Sequence, residues 1–114
     1  MEVNEYSFGR IVIEGKVYKS DVIVGRDFLK DGWWRKEGHR VQIEDIDDIV
    51  NYRPEVVVFG TGAYGAVRVD REVVEKLKEM GVEVIIDKTE KAVKIYNKLL
   101  KEGKKVLLAA HLTC

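Results

Sequence analysis

Cysteine, histidine and side-chain amides are scarce in this chain. Its 114 residues hold one cysteine and two histidines, and Asn4, Gln42, Asn51 and Asn97 are the only amides. A single cysteine forbids an intrachain disulfide, which fits a reducing cytoplasm. Net charge is missing too, because 20 Lys and Arg balance 20 Asp and Glu. Nucleic-acid binders usually carry a basic excess, so this balance argues against nucleic acid as the partner. No apolar run approaches the ~18 residues of a membrane span. Residues 1–5 are acidic and lack the apolar core of a signal or transit peptide, so a cytoplasmic location is expected. Few amides beside 35% charged residues are the pattern of heat-adapted proteins, which points to a thermophilic source. There is no repeat, linker or low-complexity segment, so residues 1–114 are expected to form one domain.

The chain is organised around Val56-Val57-Val58-Phe59, four large apolar residues that leave no polar face. Such a strand needs cover on both sides, as in the middle of a parallel or mixed sheet. It runs into Gly60-Thr61-Gly62-Ala63-Tyr64-Gly65, an open-backbone loop at the carboxyl end of the strand, where ligands sit in open α/β sheets. Downstream, Asp70 is placed to cap a helix over 71–80, and Val82 to Ile86 reads as a strand. Thr89 is placed to cap a helix over 90–102, and Lys105 to Ala110 is a final apolar strand.

Upstream, Arg10–Ile13 and Lys16–Lys19 flank Glu14-Gly15 as a hairpin, and Val22–Val24 is a third strand. Residues 25–40 show no period and read as a long irregular connection, of the kind that often carries function. A short helix begins at Asp45 and ends before Pro54. The expected architecture is a three-layer α/β domain. It has a mixed, mostly parallel sheet, a strand–helix–strand–helix–strand second half, and an antiparallel β-hairpin layer from the N-terminal part.

Several residue groups carry chemical meaning. Gly60-x-Gly62-x-x-Gly65, with Asp87 ending the next strand, copies the dinucleotide fingerprint. In that fingerprint the glycines open the helix directly, whereas here Ala66–Val69 intervene. A tight turn or a small anion therefore fits better than a dinucleotide, and no cofactor is expected. His39, His111 and Cys114 are too few and too scattered to dictate a zinc site, so no metal is expected. His111 and Cys114 also have the composition of a nucleophilic pair. Lys91, Lys94, Lys98 and Lys101 form one side of the last helix, which reads as a solvated face. Trp33 and Trp34 are adjacent in the irregular segment, where at least one is expected at the surface beside Arg35, as Trp and Arg anchor protein contacts.

Taken in order, Tyr18, Asp21, Trp34-Arg35, Gly38-His39, Gly60-x-Gly62, Thr89-Glu90-x-Ala92-Val93-x-x-Tyr96-Asn97, Gly103 and His111-x-Thr113-Cys114 span nearly the whole chain. This pattern resembles the small unknown-function domain family that includes the mitochondrial complex I assembly factor three and the adipogenesis-associated domain protein. The resemblance implies a three-layer fold around a mixed sheet, no established catalytic activity and no cofactor. It also implies an assembly or interaction role like that of the eukaryotic members. Tyr64-Gly65 is not part of the pattern.

Two readings follow. In the first, the chain is a non-enzymatic interaction module that meets a protein partner through Trp33, Trp34, Arg35 and His39. In the second, it binds a small molecule or anion, or catalyses a reaction, with Gly60, Thr61, Gly62, Asn97, His111 and Cys114. An exposed edge on the N-terminal hairpin would favour pairing with a second copy, so a homodimer is carried as an expectation.

Overall fold

The computed structural model describes every residue from 1 to 114. Its centre is a five-stranded mixed sheet built on β7 (Val56–Thr61) and β10 (Val106–His111), two strands whose residues are all buried. They pair in parallel, Val56 opposite Val106 through Thr61 opposite His111. β9 (Glu83–Asp87) flanks β7 in parallel, and β4 (Val22–Gly25) flanks β10 antiparallel. β5 (Leu29–Asp31) completes the order β5-β4-β10-β7-β9.

Apolar side chains on both faces explain why β7 and β10 take the middle. Val58, Leu108 and Ala110 face a core shared with Ala92, Val93 and Tyr96 of α3 (Thr89–Lys101) and with Ile11 and Ile13. Ile11 and Ile13 belong to the small sheet of β1 (Val3–Ser7), β2 (Arg10–Ile13) and β3 (Lys16–Tyr18), which shares this face. Val57, Phe59 and Leu107 face the other way, against Ile49 of α1 (Asp47–Tyr52) and Val73 and Leu77 of α2 (Arg71–Glu79). Burying each such side chain stabilises the fold by roughly 1.5–3 kcal/mol, so the two strands hold the three layers together.

Four features depart from the sequence reading. β1 was not expected, because its outward residues are polar and only Val3 is fully buried. The connection over 25–40 contains β5 and the start of β6 (Arg40–Val41), which pairs in parallel with β8 (Arg68–Val69). These are two- and three-residue pieces, too short to show a period. Asp70 stands before α2, but its carboxylate faces Arg40 in a two-pronged contact, Oδ1 to Nε and Oδ2 to Nη2, both 2.9 Å. Thr89 is the first residue of α3 rather than its cap, and its hydroxyl is used elsewhere.

Candidate functional site

β7 and β10 end side by side, and the antiparallel β4 begins beside them. Their loops therefore meet at one end of the sheet, the place expected to hold a ligand in open α/β folds. Asp21, just before β4, lies against His111, the last residue of β10. Asp21 Oδ2 stands 2.7 Å from His111 Nδ1, and Oδ1 accepts the Leu112 N–H at 2.9 Å. Arg35 reaches in from the 32–39 loop, with Nη1 2.8 Å from Asp21 Oδ2, and Nη2 donating to the Gly38 carbonyl at 2.8 Å. Its side chain is 4% exposed; Nη1 faces Asp21 as an ion pair without hydrogen-bond alignment, and Nε has no partner.

A carboxylate oxygen at 2.7 Å from a ring nitrogen requires a proton between them. His111 is therefore held with hydrogen on Nδ1, although Arg35 Nη2 stands 3.0 Å from the same atom. Nε2 is left facing the Thr113 hydroxyl at 3.2 Å. Burial pushes the Asp21 carboxyl up. The hydrogen bonds from His111 and Leu112, with the guanidinium of Arg35, more than offset this and hold it below the ordinary carboxylate value. Tyr6 donates to the Leu112 carbonyl at 2.8 Å, and burial together with the Asp21 charge raises its phenol.

Trp33 seats the latch. Its ring is 5% exposed, Nε1 donates to the Asp45 carbonyl at 3.0 Å, and the Arg35 guanidinium stacks 4.8 Å from its centre. The Asp21 carbonyl accepts the N–H groups of both Gly32 and Trp33. Trp33 and Arg35, expected as surface anchors, are therefore inside, one as core and one as ion-pair partner. Trp34 is 75% exposed. His39 is exposed and its ring meets His111 edge-on at 5.9 Å.

Of the two roles expected for the glycine loop, a tight turn or an anion cradle, the packing matches the first. A Cβ on Gly62 (φ +103°) would stand 2.4 Å from the Cys114 carbonyl carbon, and one on Gly60 would stand 2.9 Å from the Thr89 hydroxyl. These two glycines let chain pack on chain. The Gly62 N–H donates to Thr89 Oγ1, and the Ala63 and Ala66 N–H groups donate to the Thr113 and Cys114 carbonyls. The Gly62, Ala63 and Ala66 donors are thus spent within the chain. Thr89 Oγ1 itself donates to the His111 carbonyl at 2.6 Å, which pins α3 to both central strands. Thr61 Oγ1 donates to the Asp87 carbonyl.

Gly60, Thr61, Gly62, His111 and Cys114 thus share one end of the sheet, and Asn97 does not join them. Its amide bonds both the N–H and the C=O of Val3. Sequence reasoning left Asp21 and Thr113 out of the site. Both belong to the family pattern, but nothing local marks Asp21 as a site residue, since its partner lies 90 residues away. Thr113 has the further hint of its nearness to His111 in the chain. Two open hollows of about 350 and 370 Å3 lie along α3, and His111 lines neither. No three His, Cys, Asp or Glu side chains converge as metal ligands would.

Around this interior cluster stand Trp34, Tyr64 at 75% exposure and Phe8 at 56%. Phe8 sits in the β1–β2 turn, which is tied to the end of β10 by the bond from Gly9 N–H to the Leu112 carbonyl. Its ring lies 6.2 Å from that of Tyr64, centre to centre.

The chain is of the class of small three-layer α/β domains, and its own carboxylate–guanidinium–imidazole cluster lies at the carboxyl end of a mixed sheet. Residues 3–111 match the family described as "Protein of unknown function (DUF498/DUF598)", and the chain belongs to that family. The conserved hypothetical protein PH1505 from Pyrococcus horikoshii OT3 shares the fold at a TM-score of 0.85, with 24% identity over 100% of both chains. A Bartonella henselae protein described as an outer membrane protein gives 0.83 and 21% identity, over 98% of this chain and 94% of that one. A Bordetella pertussis protein described as an Mth938-like domain gives 0.72 and 21% identity, over 97% of this chain and 85% of that one. Identities this low speak to the fold alone. No helix here is long and apolar enough to cross a membrane.

Proposed function

We propose that the chain is a non-enzymatic binding or assembly module that meets a protein partner through the loops at the carboxyl end of its central sheet. The observation that carries this reading is the rim of Phe8, Trp34 and Tyr64, large aromatic side chains held in the open on loops fixed from beneath. Tryptophan and tyrosine dominate the energetics of protein contacts. Loops that are already ordered lose less entropy on binding. The Asp21–Arg35–His111 latch supplies that order beneath Trp34, and bonds from the Gly9, Ala63 and Ala66 N–H groups to the Leu112, Thr113 and Cys114 carbonyls supply it beneath Phe8 and Tyr64.

Cytoplasmic residence is part of the reading, supported by a lone, exposed, unpaired Cys114. A heat-adapted source is supported by the scarcity of amides. The partner is a different protein or a second copy of this chain, and light scattering on the purified protein separates the two. The test is cross-linking capture from source lysate with wild type and with Trp34→Ala/Tyr64→Ala. Loss of a specific partner with the variant is expected, and identical capture profiles would overturn the reading.

One observation favours a second reading. Asp21, His111 and Thr113 form a carboxylate–imidazole–hydroxyl chain, with the His111 tautomer that suits a general base at Nε2. In this reading Thr113 takes the place expected for Cys114. Saturable hydrolysis of an activated ester, abolished in His111→Gln, would support it, and absence of turnover in wild type would sink it.

A further inference from the structure

We propose that the groove between β1 and the first turns of α3 is a docking site for an extended, acidic peptide segment of a partner protein. The inference deepens the interaction reading and rests on it, but it uses a surface beside the aromatic rim.

One wall is an open strand edge. β1 is outermost in its three-stranded sheet. Asn97 makes with Val3 the pair of bonds a neighbouring strand would make: Val3 N–H to Asn97 Oδ1 at 3.0 Å, and Asn97 Nδ2 to the Val3 carbonyl at 2.8 Å. A side-chain amide closes the ladder at Val3, and no strand continues it past Glu5 and Tyr6. Strand addition to such an edge is a recurrent mode of peptide recognition.

The hollow beside that edge, about 370 Å3, is lined by Glu5, Tyr6, Val93 and Lys94 among others. It shares Glu90 and Lys94 with the hollow of about 350 Å3 that reaches Ala63, Lys88 and Lys91. The two form one groove running from the strand edge to the glycine loop. Lys88, Lys91 and Lys94 enter none of the ion pairs in the molecule, and Glu90 leaves Lys94 free despite favourable i,i+4 spacing. Three unpaired cations around one concavity attract a partner of opposite sign. Glu5, already paired with Arg10, and the unpaired Asp87 and Glu90 stand on the same walls, so the groove suits carboxylates spaced along a peptide to meet the lysines rather than the unbroken negative charge of a nucleic-acid backbone. An extended peptide alternates its side chains. It sets carboxylates against the lysines while apolar residues meet Val93 and Ala63.

The test is an NMR titration of the 15N-labelled protein with a synthetic peptide of about ten residues alternating Glu and Val. Salt is held near 50 mM so that charge is not screened out. The controls are the same peptide with Lys for Glu, and inorganic phosphate. Saturable shifts are expected along β1 and the first turns of α3, for the acidic peptide only. Lys91→Glu/Lys94→Glu, at two exposed positions that leave the core untouched, should weaken binding at least about tenfold. Trp34→Ala should bind the peptide as wild type does. No shifts at millimolar peptide, equal shifts with the Lys peptide, or shifts matched by phosphate and confined to α3 would each overturn the proposal. Silence here with rim-dependent capture intact sinks the groove alone. Peptide binding with capture indifferent to Trp34 and Tyr64 sinks the rim alone.

Discussion

The two ends of the central sheet are built on different physics. At the end where β7, β9 and β10 begin, the chain turns locally, and its long-range polar bonds, from Arg26 to the Leu100 and Lys104 carbonyls and from the Lys105 N–H to Glu55, are exposed. Arg53 takes a left-handed conformation before β7, and Gly81 and Gly103 do so before β9 and β10, with open space where a Cβ would stand. Lys104 and Lys105 there lie in water. At the end where β7 and β10 finish, the chain is joined by polar groups distant in sequence. His111 meets Asp21 across 90 residues and Arg35 across 76, with His111 and Arg35 buried and Asp21 half-buried. One end is a set of turns and the other is an assembly. Burying charge for stability alone is a poor strategy, because apolar packing usually does as well. A latch of this kind is better understood as fixing the shape of the loops that carry the rim.

The comparison can be broken hardest at Trp33. Trp33→Ala removes the ring beneath Arg35 and is expected to cost about 4 kcal/mol in urea denaturation. A loss as small as that of an ordinary surface change would place the ring outside the core. A matched glycine pair sharpens the contrast between the ends. Gly62→Ala must fit a methyl against the Cys114 backbone at positive φ, for about 3 kcal/mol. Gly81→Ala meets only the φ penalty, for about 1 kcal/mol. Equal costs would erase the distinction.

Asp21→Asn is expected to cost about 2 kcal/mol at neutral pH by leaving Arg35 short of its counter-charge. The sign of its pH dependence follows from the depressed Asp21 carboxyl. The stability it contributes is present above the ordinary value of 3.8 and is lost as pH falls below it. The variant should therefore show a shallower acid limb than wild type. An unchanged limb would remove Asp21 from the latch. The smallest signal is the His111 ring itself, whose 15N shifts should report hydrogen on Nδ1 in the neutral form. Hydrogen on Nε2 would reverse the roles given to Asp21 and Thr113.

Much of the fold was legible because apolar runs are local. Val56–Phe59 has no polar face, and the structure buries all four residues on both sides. The hairpin at Glu14-Gly15 and the strands and helices after Pro54 follow from the same kind of pattern. β1 and β5 escaped because short edge strands with polar outer residues carry no period. The site was half legible. Residue types picked out Trp34, Arg35 and His111, but type alone does not separate a buried Trp33 from an exposed Trp34 one residue along. Nor does it foretell that Gly62 serves contact with Cys114 rather than with an anion. Asp21, one of 20 acidic residues, was marked by the family pattern, but its tie to His111 emerges only when β4 is laid antiparallel to β10.

This end of the molecule separates an interior latch from an exterior rim. Urea denaturation of Arg35→Met beside Phe8→Ala/Trp34→Ala/Tyr64→Ala tests it most directly. The single latch change is expected to cost about 3 kcal/mol, and the three rim changes together are expected to stay within about 1 kcal/mol of wild type. A triple variant as unstable as Arg35→Met would show that the aromatic side chains hold the fold rather than await a partner.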